Sequence, residues 1–263
     1  MSMDVIDFEI FGESMQYVEV ELDPGEAAVG EAGAMYYMED GIAMDTVFGD
    51  GSTGQSGLMG TLMGAGKRLL TGESVFTTVF VNEGSSKRKV AFSASYPGKI
   101  IPIHLLELGG TLIAQKDSFL CAAKGVSLGI ALQKRLGAGL FGGEGFIMQK
   151  LEGDGYAFLH AGGTLTQRRL APGETLRVDT GCVVAYQPTI SFDIEYVGKV
   201  KSALFGGEGL FFARMTGPGT VWLQSLPLSR MADRIIASAP KAGGSSNEQG
   251  GLLGGFGGIL GKD

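Results

Sequence analysis

Leu140-Phe141-Gly142-Gly143-Glu144-Gly145 recurs as Leu204-Phe205-Gly206-Gly207-Glu208-Gly209, and a looser copy stands at Leu69-Leu70-Thr71-Gly72-Glu73-Ser74. A hexapeptide repeated at wide spacing marks internal duplication, which bears on architecture before any single residue is weighed. A second motif keeps step with it. Leu22-Asp-Pro-Gly-Glu26 matches Leu170-Ala-Pro-Gly-Glu174, with Leu106-Glu-Leu-Gly-Gly110 as the middle copy. Gly143 lies 37 residues past Leu106, and Gly207 lies 37 past Leu170. Gly72 lies 50 past Leu22, so the first copy carries about 13 additional residues, between Phe48 and Gly66.

The segments between these motifs read as strands. Proline followed by glycine is turn chemistry, since proline presets φ and glycine accepts the positive φ that follows. Beyond each turn comes a short apolar run: Ala34-Met-Tyr-Tyr-Met38, Ser118-Phe-Leu-Cys-Ala122 and Cys182-Val-Val-Ala-Tyr186. Each such run is a buried-strand candidate. A further strand follows in each copy at Gly41–Met44, Gly125–Leu128 and Thr189–Phe192. After each glycine motif the pattern predicts a hairpin: Phe76 onward turning at Asn82-Glu-Gly, Phe146 onward turning at Glu152-Gly-Asp-Gly, and Leu210 onward turning at Thr216-Gly-Pro-Gly. Upstream, Ile6, Phe8 and Ile10, then Val18, Val20 and Leu22, alternate with polar residues, the period of half-buried strands. One helix is predicted in the body, over Leu228–Ala237.

The expectation is an all-β body over residues 1–237 made of three internal β repeats, approximately 1–103, 104–168 and 169–237. A Gly-rich flexible tail over 238–263 follows. Bulk composition agrees. The chain has 263 residues, 44% hydrophobic and 19% charged, with 45 glycines and 8 prolines. So much glycine without a three-residue period fits many tight turns between short strands.

The LxPGE turns, Gly33-Ala34-Met35 and the two FGGEG copies together resemble the altered-inheritance-of-mitochondria (number twenty-four) family of bacterial and mitochondrial proteins. The resemblance covers residues 1 to about 237. It implies a double-stranded β-helix or sandwich type of fold, in which three units similar to the tryptophan RNA-binding attenuation protein surround a pseudo-threefold axis. It implies that biochemical activity is unassigned, and the link of mitochondrial members to inner-membrane organisation suggests a scaffold. RNA and tryptophan binding do not transfer with a fold.

Charge and targeting narrow the classes. A net charge of −7 repels phosphates, so no nucleic-acid partner is expected. Cys121 and Cys182 sit in apolar runs and read as reduced core residues of a cytoplasmic protein. The acidic N-terminus lacks a signal-peptide pattern, and no apolar stretch is long enough to cross a bilayer.

Catalytic patterns occur but lack their context. Gly125-Val-Ser127-Leu-Gly129 fits the nucleophile-elbow pattern, with His160 and Asp154 downstream, yet it aligns with plain strands where an elbow needs a strand-to-helix turn. Gly49–Gly54 and Gly137–Gly142 fit GxGxxG without a helix after them, and Gly64-Ala-Gly66-Lys67-Arg68 echoes a P-loop without its Ser/Thr. Two histidines, His104 and His160, without CxxC or HxxxH make a metal site improbable, and no cofactor is expected.

The sharper candidates are three equivalent acids, Glu73, Glu144 and Glu208. They either converge at an axis, where a cation could sit, or accept backbone N–H bonds in their own turns, the favoured reading. Lys67, Arg68, Lys134 and Arg135 stand beside apolar loop residues and offer an interaction surface for a protein partner or an anionic membrane. In the tail, Leu252, Phe256 and Ile259 fall on one face of a helix whose other face is glycine, so ordering is expected only against a partner or bilayer. The functional expectation is a non-enzymatic scaffold or interaction protein, a homo-oligomer associating through exposed sheet edges or loops. The alternative is a small-ligand binding module with its site at the repeat junctions.

Overall fold

The computed structural model describes residues 6–48, 76–134, 146–196 and 211–238. The chain begins with β1 (Asp7–Phe11), β2 (Tyr17–Leu22), β3 (Ala27–Glu31), β4 (Met35–Met38), β5 (Ile42–Phe48), β6 (Phe76–Asn82) and β7 (Arg88–Ser93). It continues with β8 (Gly98–His104), β9 (Thr111–Gln115), β10 (Phe119–Ala123), β11 (Ser127–Lys134), β12 (Phe146–Glu152) and β13 (Tyr156–Gly162). The last strands are β14 (Leu165–Leu170), β15 (Thr175–Asp179), β16 (Val183–Tyr186), β17 (Ser191–Tyr196), β18 (Phe211–Thr216) and β19 (Gly219–Gln224), closed by helix α1 (Leu228–Ser238). The fold is all-β, and the helix stands where the sequence predicts it.

One pairing scheme governs the strands. β2 pairs β7, β8 pairs β13 and β14 pairs β19. β3 pairs β6, β9 pairs β12 and β15 pairs β18. β4, β10 and β16 each join the outer side of β7, β13 and β19, with a register shift at the same place: between Met35 and Tyr37, Phe119 and Cys121, and Val183 and Ala185. A bulge at a matching position in three strands is a built feature, because it re-aims the side chains on either side of it.

The pairings overturn one expectation. The strand after each glycine motif does not form a hairpin with the strand that follows it. β12 spends both edges on β9 and β11, so β13 has no edge of β12 to join. The turn at residues 153–155 therefore carries the chain into the neighbouring sheet, and β13 pairs β8 and β10. The strands that do pair antiparallel in sequence order here are β11 and β12.

The turns of the second motif follow their chemistry. Gly25, Gly109 and Gly173 adopt φ of 88°, 81° and 77°, a region that side chains with a Cβ rarely enter. Glu26 accepts the backbone N–H of Asp23 at 2.9 Å, and Glu174 accepts that of Ala171 at 2.9 Å.

Two six-stranded sheets form the centre, in the orders β5-β6-β3-β10-β13-β8 and β11-β12-β9-β16-β19-β14. Each has a core on both faces. The first gives Ala28, Cys121 and Phe158 to a core with Phe80 and Phe92, and Ala122 and Leu159 to a core with Leu112 and Leu151. The second adds Ala185 and Trp222 to that middle core and Ile113, Met148 and Tyr186 to a third. Burial on both faces explains why β10 and β16 read as unbroken apolar runs, FLCAA and VVAY. Removing such residues from water is worth about 25 cal/mol per Å² of apolar surface.

Candidate interaction surface at two open sheet edges

Two smaller sheets flank the centre, β1-β2-β7-β4 and β15-β18-β17. They end on β4 and β15, whose counterparts are paired with each other. β10 pairs β3, with Cys121 opposite Gly30, Ala122 opposite Val29 and Ala123 opposite Ala28. β16 pairs β9, with Ala185 opposite Ala114 and Tyr186 opposite Ile113. Among the described residues, β4 pairs only β7, and β15 pairs only β18. An edge strand presents a row of unpaired N–H and C=O groups, a template for another strand.

The side chains match this exposure. β4 reads MYYM, with Met35 36%, Tyr36 60% and Met38 38% exposed, and Met44 of β5 and Met15 are also exposed. Tyr36 and Tyr37 pack with Tyr17, which stacks on Phe11, so aromatic surface continues from the edge onto β2 and β1. The sequence predicts β4 to be buried like β10 and β16, and the structure corrects that. Without a strand beyond its edge, β4 lacks half the cover its counterparts enjoy. On β15, Arg177 stands in register with the apolar Val29 and Ile113. Its guanidinium bonds Glu195 at 2.9 Å, and Arg214 reaches the same carboxylate at 3.6 Å. Arg230 of α1 bonds Asp179 at 3.1 Å and ties the helix to the end of β15. Leu228, Ile235 and Ile236 of that helix are exposed.

A family model described as Mitochondrial biogenesis AIM24 matches residues 8–226. The chain belongs to this family. Its AIM24 match runs from β1 to the residues just before α1, so both open edges lie within it. An uncharacterized protein of Streptococcus pyogenes serotype M6 is 29% identical over 231 residues, which cover 86% of this chain and 89% of that protein. The crystal structure of a Streptococcus pyogenes protein superposes with a TM-score of 0.70 at 22% identity, covering 89% of this chain and 100% of that one. That likeness is one of fold.

A second cluster is buried where β3 meets β10. Burial and the nearby Asp117 carboxylate push Glu31 up to about 7, while Lys116 opposes them. Tyr96, raised to about 12 mainly by burial, stands edge-on to His160 with ring centroids 4.5 Å apart. Burial lowers His160 to about 4, and its Nε2 has no hydrogen-bond partner. Ser127 opens β11 opposite Glu152 and makes no hydrogen bond to that Nε2.

His104 stacks on Tyr156 and lies 3.5 Å from Glu107. Cys121 is buried in the core and Cys182 half-buried beside Arg230, and both are free thiols. Among the described residues no group of His, Cys, Asp and Glu could hold a metal, and no helix is long and apolar enough to cross a membrane. An open cleft of about 820 Å³ lies at the Leu170–Glu174 turn, lined by Arg169, Pro172, Glu174, Gln187 and Pro218.

Of the residues singled out from sequence, Glu73, Glu144, Glu208, Lys67, Arg68, Arg135, Leu252, Phe256 and Ile259 lie outside the described residues. Lys134 is the last residue of β11, opposite Phe146. Sequence reasoning missed Met35, Tyr36, Met38 and Arg177. The signal was present: β4 carries two tyrosines and two methionines where its counterparts read Phe119-Leu-Cys-Ala122 and Val183-Val-Ala-Tyr186, and an arginine replaces Val29 and Ile113 in β15.

Proposed function

We propose that this AIM24-family protein is a non-enzymatic scaffold that works by protein–protein contact through its open sheet edges. The observation that carries the reading is that, among the described residues, one edge each of β4 and β15 is unpaired, where both edges of their counterparts are paired. Exposed edges invite association, and soluble proteins ordinarily blunt them with short strands, bulges, charge, proline or cover. β4 is short and bulged, but none of its four residues is charged or a proline. Exposed methionine and tyrosine suit a contact surface, because tyrosine buries large area at low entropic cost and the flexible methionine side chain fits irregular partners. A reducing, cytoplasmic setting belongs to the same reading and agrees with two free thiols. Contact with a membrane surface would fall to the basic loops and the tail, which lie outside the described residues.

Sedimentation velocity of the full chain over a range of concentrations tests the reading. Assembly above the monomer mass is expected, weakened at least about tenfold by Met35→Lys with Met38→Lys. A chain that stays monomeric throughout, or assembly indifferent to both substitutions, would reject it.

A further inference from the structure

We infer that the partner at these edges is a second copy of this chain, joined head to tail, with β4 of one copy pairing β15 of the next. The inference rests on the scaffold reading and names its partner. Its template lies within the chain, where the counterparts of β4 and β15 pair twice, antiparallel and in one register. The bulge fixes the alignment. Tyr37 follows it as Cys121 and Ala185 do, so Met38 corresponds to Ala122 and Tyr186. On the other side, Thr175 follows Pro172-Gly-Glu174 as Ala27 follows Pro24-Gly-Glu26 and Thr111 follows Leu108-Gly-Gly110, so Arg177 corresponds to Val29 and Ile113. Ala122 faces Val29 and Tyr186 faces Ile113, which puts Met38 opposite Arg177 and Glu39 opposite Leu176 at the junction between copies.

The charges suit this pairing. Arg177 of β15 and Arg214 of β18 both reach the carboxylate of Glu195, and Asp193 of β17 stands opposite Arg214. Glu39 and Asp40 follow β4 at once, and the Glu39 carboxylate accepts the backbone N–H of Lys89 at 3.0 Å. In this register Asp40, two residues past Met38, is the diagonal neighbour of Arg177, an opposite charge that favours the alignment, and a one-residue slip would turn every side chain to the wrong face. Each copy offers one β4 and one β15, so the contact is heterologous and builds a ring or a filament according to the angle it imposes.

The test mixes two single variants of the full chain, Met38→Cys and Arg177→Cys, both in a Cys182→Ser background with the buried Cys121 kept, under mild oxidation by diamide. A disulfide-linked dimer at twice the 27.4 kDa chain mass is expected in the mixture and in neither variant alone. A second pair, Glu39→Cys with Leu176→Cys, reads the same register should the first perturb folding. Dimer from Met38→Cys alone would mean that β4 meets β4, and would overturn the inference while the scaffold reading stands. So would a wild-type chain that assembles with no cross-link from either pair. A monomeric double variant that closes its disulfide within one chain would also overturn it, because the two edges would then be partners at home. A wild-type chain monomeric at every concentration would remove both.

Discussion

The hydroxyl of Tyr37 donates a hydrogen bond to the carboxylate of Glu19, across the strand that separates them. Both residues lie opposite Ala91 of β7, and the small methyl between them lets the ring reach over. Lys89 bonds the other oxygen of Glu19 at 2.6 Å. Lys89, then Tyr37, hold the Glu19 carboxyl below its ordinary 4.5.

Tyr37→Phe is therefore expected to cost about 1 kcal/mol, the net worth of a partly exposed hydrogen bond, read from urea denaturation at pH 7. The contribution of Glu19 has a definite sign with pH. A carboxyl depressed in the folded state adds stability above 4.5 and loses it as pH falls through the lowered value. Glu19→Gln should therefore differ most from wild type above pH 4.5 and converge on it in stronger acid. A constant difference down to pH 2 would contradict this.

Glu31 and His160 carry opposite pH signs. Glu31 is raised to about 7, so the folded chain binds its proton more tightly and stability falls as pH rises from 4.5 through 7. Glu31→Gln should be about 1–2 kcal/mol more stable than wild type at pH 8 and equal to it below 4.5. Glutamine already occupies the matching position in β9, as Gln115. His160 is lowered to about 4, so the unfolded chain takes up the proton first and stability is lost as pH falls from 6.5 towards 4. His160→Gln, the residue found at the matching Gln224, should flatten that arm. Thermal denaturation across pH 4–8 separates the two effects.

Gly30 sits opposite Cys121 at the first junction between paired counterparts. A Cβ there would lie 2.6 Å from the ring of Phe92 and 3.2 Å from that of Phe80. Gly30→Ala should cost about 1–3 kcal/mol through overpacking, and Phe92→Leu in the same chain should recover part of the loss. Additive losses would show that crowding is not the cause.

Asn82 fastens the end of β6 to the end of β2. Its amide donates to the Leu22 carbonyl at 2.8 Å and to the Ser86 carbonyl at 2.9 Å, and its carbonyl accepts from Gly84 N–H at 2.9 Å. Asn82→Ala strands three backbone groups, one of them fully buried, and should cost about 2–4 kcal/mol. Asn82→Asp should be comparably harmful at pH 7, since it replaces two donors with a charge. Equilibrium denaturation checks both.

The sequence by itself determined the strand class, the turns and the correspondence between distant segments. Those depend on local quantities: alternation of apolar residues, glycine at positive φ, and spacing between LxPG and GGE. It determined the closing helix for the same reason. Which edge of each strand meets which neighbour is a different kind of fact. Phe146–Glu152 and Tyr156–Gly162 look like a hairpin because a glycine turn joins them, and only the tertiary structure shows that β9 and β11 already hold both edges of β12. The same limit applied to the candidate surface. MYYM aligns with FLCAA and VVAY as an apolar run, yet local pattern cannot say whether a strand lies beyond it. Exposure of Met35, Tyr36 and Met38 was decided by long-range pairing, since a side chain is buried only when another element of the fold comes to cover it.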